Sequence, residues 1–134
     1  MAKYLSKEWL ELGRNAINSN EEFMSWSRPH GFSASFLHSV VGVDPLGHTQ
    51  TLYYWSRFEN GKCAEVGLGK IENADFEFEA TYNVWVKIHK GAMGIIPAVL
   101  TRKLKMKGSL LKAVKYRKMA GLMSRVIAEV ETEY

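Results

Sequence analysis

Residues 73–108, NADFEFEATYNVWVKIHKGAMGIIPAVLTRKLKMKG, constrain the fold of this chain more than any other stretch. They read as a strand, an amphipathic helix, an apolar segment broken by Pro97, and a second strand. Two short strands of alternating charge thus bracket an apolar insert too long for a turn. Burying that insert requires helices laid over a sheet, with room for an apolar cavity beneath. Asp75, Glu77 and Glu79 share one face of the first strand, and Phe76, Phe78 and Ala80 the other. In the second strand Lys103, Lys105 and Lys107 oppose Leu104 and Met106. An acidic row and a basic row are what neighbouring strands show on a common solvent face, each pair adding roughly 0.2–1 kcal/mol. The two strands are therefore expected to be adjacent, with their apolar rows turned to the helices.

The rest of the chain supplies the partners. Leu5, Trp9, Leu12, Ala16 and Ile17 follow helical spacing, with Ser6 as the N-cap and Glu8 in the first turn. Ser19-Asn20-Glu21-Glu22 has the form of a capping box and opens a second helix through Phe23, Met24 and Trp26. Arg28-Pro29-His30-Gly31 stops it. From Phe32 the period changes to two, predicting strands over 32–41 and 50–58, joined by the turn residues Asp44-Pro45-Leu46-Gly47. Asn60-Gly61 predicts a tight hairpin into a third strand over 63–68. Strands over 75–81 and 103–107 follow, with helical segments over 82–90 and 96–101 between them. Ser109 caps a last helix through Leu111 and Val114, which Gly121 interrupts before Leu122, Met123, Val126, Ile127 and Val130. The expectation is a single α+β domain over 1–134. Helices occupy 1–28; a five-stranded, mostly antiparallel sheet covered on one face by helices occupies 31–130.

A chain of 134 residues is long enough to bury most of its apolar surface. Six Tyr, six Phe and four Trp predict a core of large side chains. Its longest uncharged apolar run, over 91–100, is far short of the roughly 18 residues of a membrane span. The start, MAKYLSKEWL, lacks the apolar run of a signal peptide, and the final ETEY carries no lipidation or peroxisomal address. The one cysteine, Cys63, excludes an internal disulfide and suits a reducing compartment, so a cytoplasmic protein is expected. Net charge is +4, and the eleven Lys and Arg between Glu79 and Glu129 have no acid among them. Such a run either attracts nucleic acid or anionic lipid headgroups, or simply clothes the outer faces of strands and helices.

Reaction chemistry is hard to find. Asp75, Glu77 and Glu79 are better explained by the facing lysines than as metal ligands or an acid/base pair. His30, His38, His48 and His89 have no metal-ligand spacing, so neither metal nor cofactor is expected. Cys63 has no basic activator beyond Lys62 and reads as a packing residue. Gly67-Leu68-Gly69-Lys70 lacks the full phosphate-loop spacing and reads as the exit from a strand. No nucleophile elbow or dinucleotide fingerprint occurs. Met93, Met106, Met119 and Met123, by contrast, cluster among branched aliphatic residues in the second half. Methionine suits ordinary cores and also surfaces that must accept variable apolar shapes. Gly91 and Gly94 flank Met93 as hinges would.

With these residues in view, the chain resembles the sterol carrier protein 2 family of lipid-binding domains. The resemblance rests on Ala74-Asp75, a helix bearing Trp85 and ending near Gly91, Pro97-Ala98, the KLKMKG of residues 103–108, and Ala113 with Lys115. It covers roughly 31–130 and is strongest over 73–118. Arg102 departs from the glycine common before the fifth strand, and the peroxisomal tail of the eukaryotic carriers is missing. The resemblance implies a five-stranded sheet under a helical layer, with a tunnel for sterols, fatty acids or fatty acyl derivatives.

The resulting expectation is a non-enzymatic lipid binder with its pocket between the sheet and segments 82–100 and 109–127. Its lining is expected among Phe36, Phe76, Phe78, Trp85, Ile88, Met93, Ile96, Leu100, Met106, Leu111, Met119, Leu122 and Met123. Expected partners are an apolar small molecule and, transiently, an anionic membrane surface, without specific nucleic acid. The alternative is a basic module that binds nucleic acid or a protein through residues 103–118.

Overall fold

The computed structural model describes residues 2–42 and 51–134. Strand β1 (Ala2–Lys3) leads into α1 (Lys7–Ser19), whose first turn is capped by the Ser6 hydroxyl accepting from the Trp9 N–H at 3.1 Å. The cap of α2 (Glu21–His30) is Asn20, one residue later than the capping-box pattern places it. Its side-chain oxygen accepts from the Phe23 N–H at 2.8 Å, so one residue separates the two helices. Pro29 lies inside the last turn, and the helix ends at Gly31, whose φ of +57° gives a left-handed cap.

Five strands, β2 (Ala34–Val41), β3 (Leu52–Glu59), β4 (Lys62–Leu68), β5 (Phe76–Thr81) and β6 (Lys105–Lys107), form one sheet in the order β4-β3-β2-β5-β6. Neighbours are antiparallel except β2 and β5, which run parallel. The expected turn over 44–47 and the strand start at Gln50 lie outside the described residues. In the β3–β4 hairpin, Asn60 (φ +49°) and Gly61 (φ +82°) are both left-handed, as a type I′ turn demands. A Cβ on Gly61 would also fall 2.6 Å from the Ser27 backbone, so the approach of α2 requires glycine there.

The charge ladder forms in part. Glu77 pairs with Lys107 at 3.7 Å and Glu79 with Lys105 at 3.6 Å across β5 and β6. Lys103 does not join it, because the chain there is still closing the preceding helix: the N–H groups of Lys103 and Leu104 both donate to the Ala98 carbonyl. Asp75 also drops out, its carboxylate accepting from the Ser35 N–H at 2.8 Å at the start of β2. Helices α3 (Tyr82–His89), α4 (Ile95–Leu100), α5 (Leu110–Lys115) and α6 (Arg117–Glu129) complete the layer, and β7 (Thr132–Glu133) pairs with β1. The break in the last helical segment falls at Tyr116, not Gly121, which lies within α6.

The helices pack on the sheet face that carries Phe36, His38, Tyr54, Phe58, Phe76 and Phe78. Trp9, Phe23, Trp85, Ile88, Met119 and Leu122 complete that core. On the opposite face Arg57 pairs with Glu59 and Glu65. Among the described residues, no helix is long and apolar enough to cross a membrane.

Candidate functional site

Between the sheet and the helices lies a cavity of about 140 Å³. Its floor is a row of nearly parallel rings. Phe36 stacks on Phe76 at 5.4 Å and on Phe78 at 6.2 Å, because β2 and β5 place Phe36 beside Phe76 and His38 beside Phe78. One wall is α1, through Trp9, Leu10, Gly13 and Ile17. A Cβ on Gly13 would meet the Ile127 side chain at 3.1 Å, so α1 lies tightly against α6. The other wall is α3, through Trp85, Ile88 and His89, and α4, α5 and α6 close the top. Trp85 is fixed by its ring N–H, which donates to the Ser39 carbonyl of β2 at 2.9 Å.

Eight of the residues expected at the site line the cavity: Phe36, Phe76, Phe78, Trp85, Ile88, Ile96, Met119 and Met123. Leu122 is buried in the core outside the lining, and Met93 and Met106 are half-buried against it. Met106 sits opposite Phe78 on the edge strand. Leu100 and Leu111 require correction, being 67% and 82% exposed. Ala113 of α5 and Tyr116, the residue that caps it, line the cavity three residues apart, which turns Leu111 outward. In α4 the buried position is Ala98, with Ile95 and Val99 packed beside it, and this leaves Leu100 outside.

Sequence reasoning placed α1 as a helix but not as a cavity wall, and missed a cluster of polar aromatic residues. The side chains of His38, His89 and Tyr54 line the cavity, and Tyr4 adjoins them. His89 Nδ1 lies 2.5 Å from the Tyr4 hydroxyl and Nε2 lies 3.1 Å from the Tyr54 hydroxyl. His38 stacks face to face on Tyr54, with centroids 4.2 Å apart and planes 1° apart. Trp85 stacks on His89 and meets His38 edge-on. His38 Nδ1 is buried with no hydrogen-bond partner. Burial disfavours the charged imidazolium and lowers the His38 pKa to about 4, against a smaller upward pull from a hydrogen bond with the Tyr54 backbone. Burial, then the proximity of His38, lowers that of His89 to about 3. Burial raises both tyrosines above their ordinary value. At neutral pH the cluster is therefore polar but uncharged. Cys63, also lining the cavity, is pushed up to about 12 by burial and stays a thiol at neutral pH, as a packing residue would.

The model of the SCP-2 sterol transfer family matches residues 43–121. The chain belongs to that family. The matched region includes β3 to β6 and enters α6, but leaves out α1, which builds one cavity wall. No curated protein sequence matches. Among solved structures, a conserved hypothetical protein of Thermus thermophilus, considered a candidate sterol carrier protein, is 20% identical with a TM-score of 0.84. That match covers 99% of this chain and 93% of the other. A crystal structure of sterol carrier protein 2 is 20% identical with a TM-score of 0.80, covering 96% of this chain and 100% of that one. The palmitated sterol carrier protein 2-like 2 of Aedes aegypti is 13% identical with a TM-score of 0.54, covering 83% and 93%. At these identities the likeness establishes the SCP-2 fold.

Proposed function

We propose that the chain binds an apolar lipid, a fatty acid, fatty acyl derivative or sterol-like molecule, between sheet and helices, and carries it without transforming it. The observation that carries this reading is the cavity floored by Phe36, Phe76 and Phe78 and walled by Trp9, Trp85 and Ile88. Each ligand methylene removed from water contributes about 0.8 kcal/mol, so few polar contacts are needed. The volume of about 140 Å³ is close to that of an engineered apolar cavity of about 150 Å³ that takes up benzene. A longer ligand must therefore displace part of the enclosure. The segments suited to yield are α4, with only Ala98 buried, and α5, with no buried residue. The palmitated Aedes relative supports an acyl ligand by analogy of fold.

Loading and release at an anionic membrane fit the outer surface beside those helices. Leu100, Leu110 and Leu111 are exposed there, and so are Arg102, Lys103, Lys112 and Lys115. Such surfaces combine apolar insertion with attraction to acidic headgroups. Lys105 and Lys107, by contrast, are engaged with Glu79 and Glu77, which shortens the basic run.

Native mass spectrometry of protein purified from its own cells should show an added lipid mass. Ala120→Trp, which extends a half-buried lining side chain into the cavity, should abolish uptake of a fluorescent fatty acid with little change in melting temperature. Ligand-free mass together with no uptake by the unsubstituted protein would remove the reading.

A further inference from the structure

We propose that the cavity takes its lipid tail first and holds the anionic headgroup of a single-chain amphiphile, such as the carboxylate of a fatty acid, at its mouth between the Lys112 ammonium and the Tyr116 hydroxyl. The inference rests on the lipid-binding reading and specifies which lipids the site prefers.

Charge on the lining is lopsided. Of the described residues there, Arg14 and Lys112 are charged at neutral pH, and none is an acid. Arg14 is occupied: its Nε pairs with Glu11 at 3.1 Å, and its Nη1 lies 3.5 Å from the Ala64 carbonyl oxygen. An anion there would compete with a carboxylate already in place. Lys112 is exposed, and no ion pair among the described residues involves it. Deeper in, the floor is phenylalanine and His89 uses both ring nitrogens on Tyr4 and Tyr54. A carboxylate buried there would lack a counter-ion, which is strongly unfavourable. The tail therefore goes inward and the charge stays at the rim, in contact with water.

The backbone places a second free group beside Lys112. The Tyr116 N–H donates to the Lys112 carbonyl at 3.0 Å and the Ala120 N–H to the Tyr116 carbonyl at 3.1 Å, so the helical repeat runs unbroken across the junction of α5 and α6. Lys112, Tyr116 and Ala120 thus share one face, and all three line the cavity. The Tyr116 ring is seated edge-on against Phe32, with centroids 4.7 Å apart, and the Lys115 ammonium lies 5.5 Å from its centroid. Tyr116 is half-buried, and its hydroxyl is neither enclosed nor hydrogen-bonded among the described residues. A carboxylate accepts from both groups: the phenol donates to one oxygen, and the flexible lysine stem brings the ammonium to the other. An alcohol or a sterol could meet Tyr116 but gains nothing from the charge of Lys112.

The test is displacement of the uncharged fluorescent probe N-phenyl-1-naphthylamine, without vesicles at pH 7.5, by decanoate, decyl phosphate and 1-decanol. The readout is the ratio of decanoate to decanol affinity, because differences in transfer from water cancel between protein and variant. Lys112→Glu should lower that ratio about tenfold, and Tyr116→Phe about threefold, the scales of a reversed charge and of one hydrogen bond. Lys112→Arg should restore most of it. Lys118→Glu makes the same change of net charge at an exposed position outside the lining and should leave the ratio nearly unchanged. Decyl phosphate falling with decanoate supports recognition of either anion; decanoate falling alone supports a carboxylate. An unchanged ratio in Lys112→Glu, or an equal fall in Lys118→Glu, overturns the subsite while probe binding leaves the lipid-binding reading standing. Failure of the unsubstituted protein to bind the probe or any of the three ligands removes both.

Discussion

Around one cavity, the side built by β2, β3 and α3 buries Phe36, Tyr54, Trp85 and Ile88 almost completely, while α5 on the other side buries none of its residues. Long-range hydrogen bonds follow the same division. Trp85 reaches the Ser39 carbonyl across 46 residues of chain, and His89 joins Tyr4 and Tyr54. At α5, the Lys112 N–H donates to the Ser109 hydroxyl, which is only a local cap. Regions with few buried contacts open at low free energy, whereas packed cores open only with the whole domain. On the proposed lipid-binding reading, the difference divides the labour: the α3 side would fix the shape and polarity of the site, and the α5 side would yield to admit the ligand.

The largest effect expected from this contrast comes from Trp85→Ala. It deletes a fully buried ring and its bond to β2, for which the usual cost is about 3–5 kcal/mol. Urea unfolding monitored by circular dichroism measures it. A loss no greater than that of an alanine at Lys112 would dissolve the distinction between the two sides.

Acid should act on the same side. An unfolded histidine has a pKa of roughly 6.5, whereas His38 and His89 are lowered to about 4 and about 3. Between those values the unfolded chain binds more protons, so stability rises with pH. The contribution is whole above about pH 6.5 and is lost as the pH falls through 4 and then 3. For His38 alone the loss from pH 7 to pH 4.5 is roughly 2–3 kcal/mol. Urea midpoints at the two pH values should show it, and His38→Phe should flatten the slope. Equal slopes in the two proteins would mean that His38 is not held neutral.

The sequence made the two sides unequally legible. The strands, the Asn60-Gly61 hairpin and the pairing of β5 with β6 followed from alternation and turn chemistry, because both are local. The rings of Phe36, Phe76 and Phe78 were legible as inward positions for the same reason. The α1 wall was not, because its inward face is Trp9, Leu10, Gly13 and Ile17. Gly13 is invisible to a hydrophobic pattern, and Leu12, which fits that pattern, is 40% exposed. The histidine cluster was equally hidden. His38 and His89 lie on different elements, and only the fold brings them within reach of Tyr4 and Tyr54. A histidine at an inward strand position, two residues from Phe36, was the available signal. Leu100 and Leu111 misled because short helices have too few turns to fix a face by periodicity.

A smaller effect belongs to the solvent face of the sheet. Glu79 and Lys105 are 46% and 81% exposed, and such pairs contribute about 0–1 kcal/mol. A double-mutant cycle with Glu79→Gln and Lys105→Gln should give a coupling near the low end that fades in 1 M salt. A large, salt-insensitive coupling would place structural weight on this edge and contradict the emphasis on the interior.

The smallest effect on stability is expected at the rim itself, where the same substitution should have a marked effect on function. Leu111 is 82% exposed and absent from the cavity lining, so Leu111→Glu removes little packing and should change unfolding free energy by no more than about 0.5 kcal/mol. In water an exposed leucine of this kind gains nothing from its position. At a bilayer it can transfer its side chain out of water, and full burial of a leucine contributes about 1.5–3 kcal/mol. A glutamate there also repels acidic headgroups that the neighbouring Lys112 and Lys115 would attract. Binding to vesicles of phosphatidylglycerol and phosphatidylcholine, followed by sedimentation, should therefore fall about tenfold or more in Leu111→Glu. Uptake of a fluorescent fatty acid added without vesicles should stay unchanged. If vesicle binding survives the substitution, the α5 rim is not the membrane-facing surface. If uptake from solution falls as well, α5 contributes to the enclosure itself, and the division between a fixed wall and a yielding rim must be redrawn.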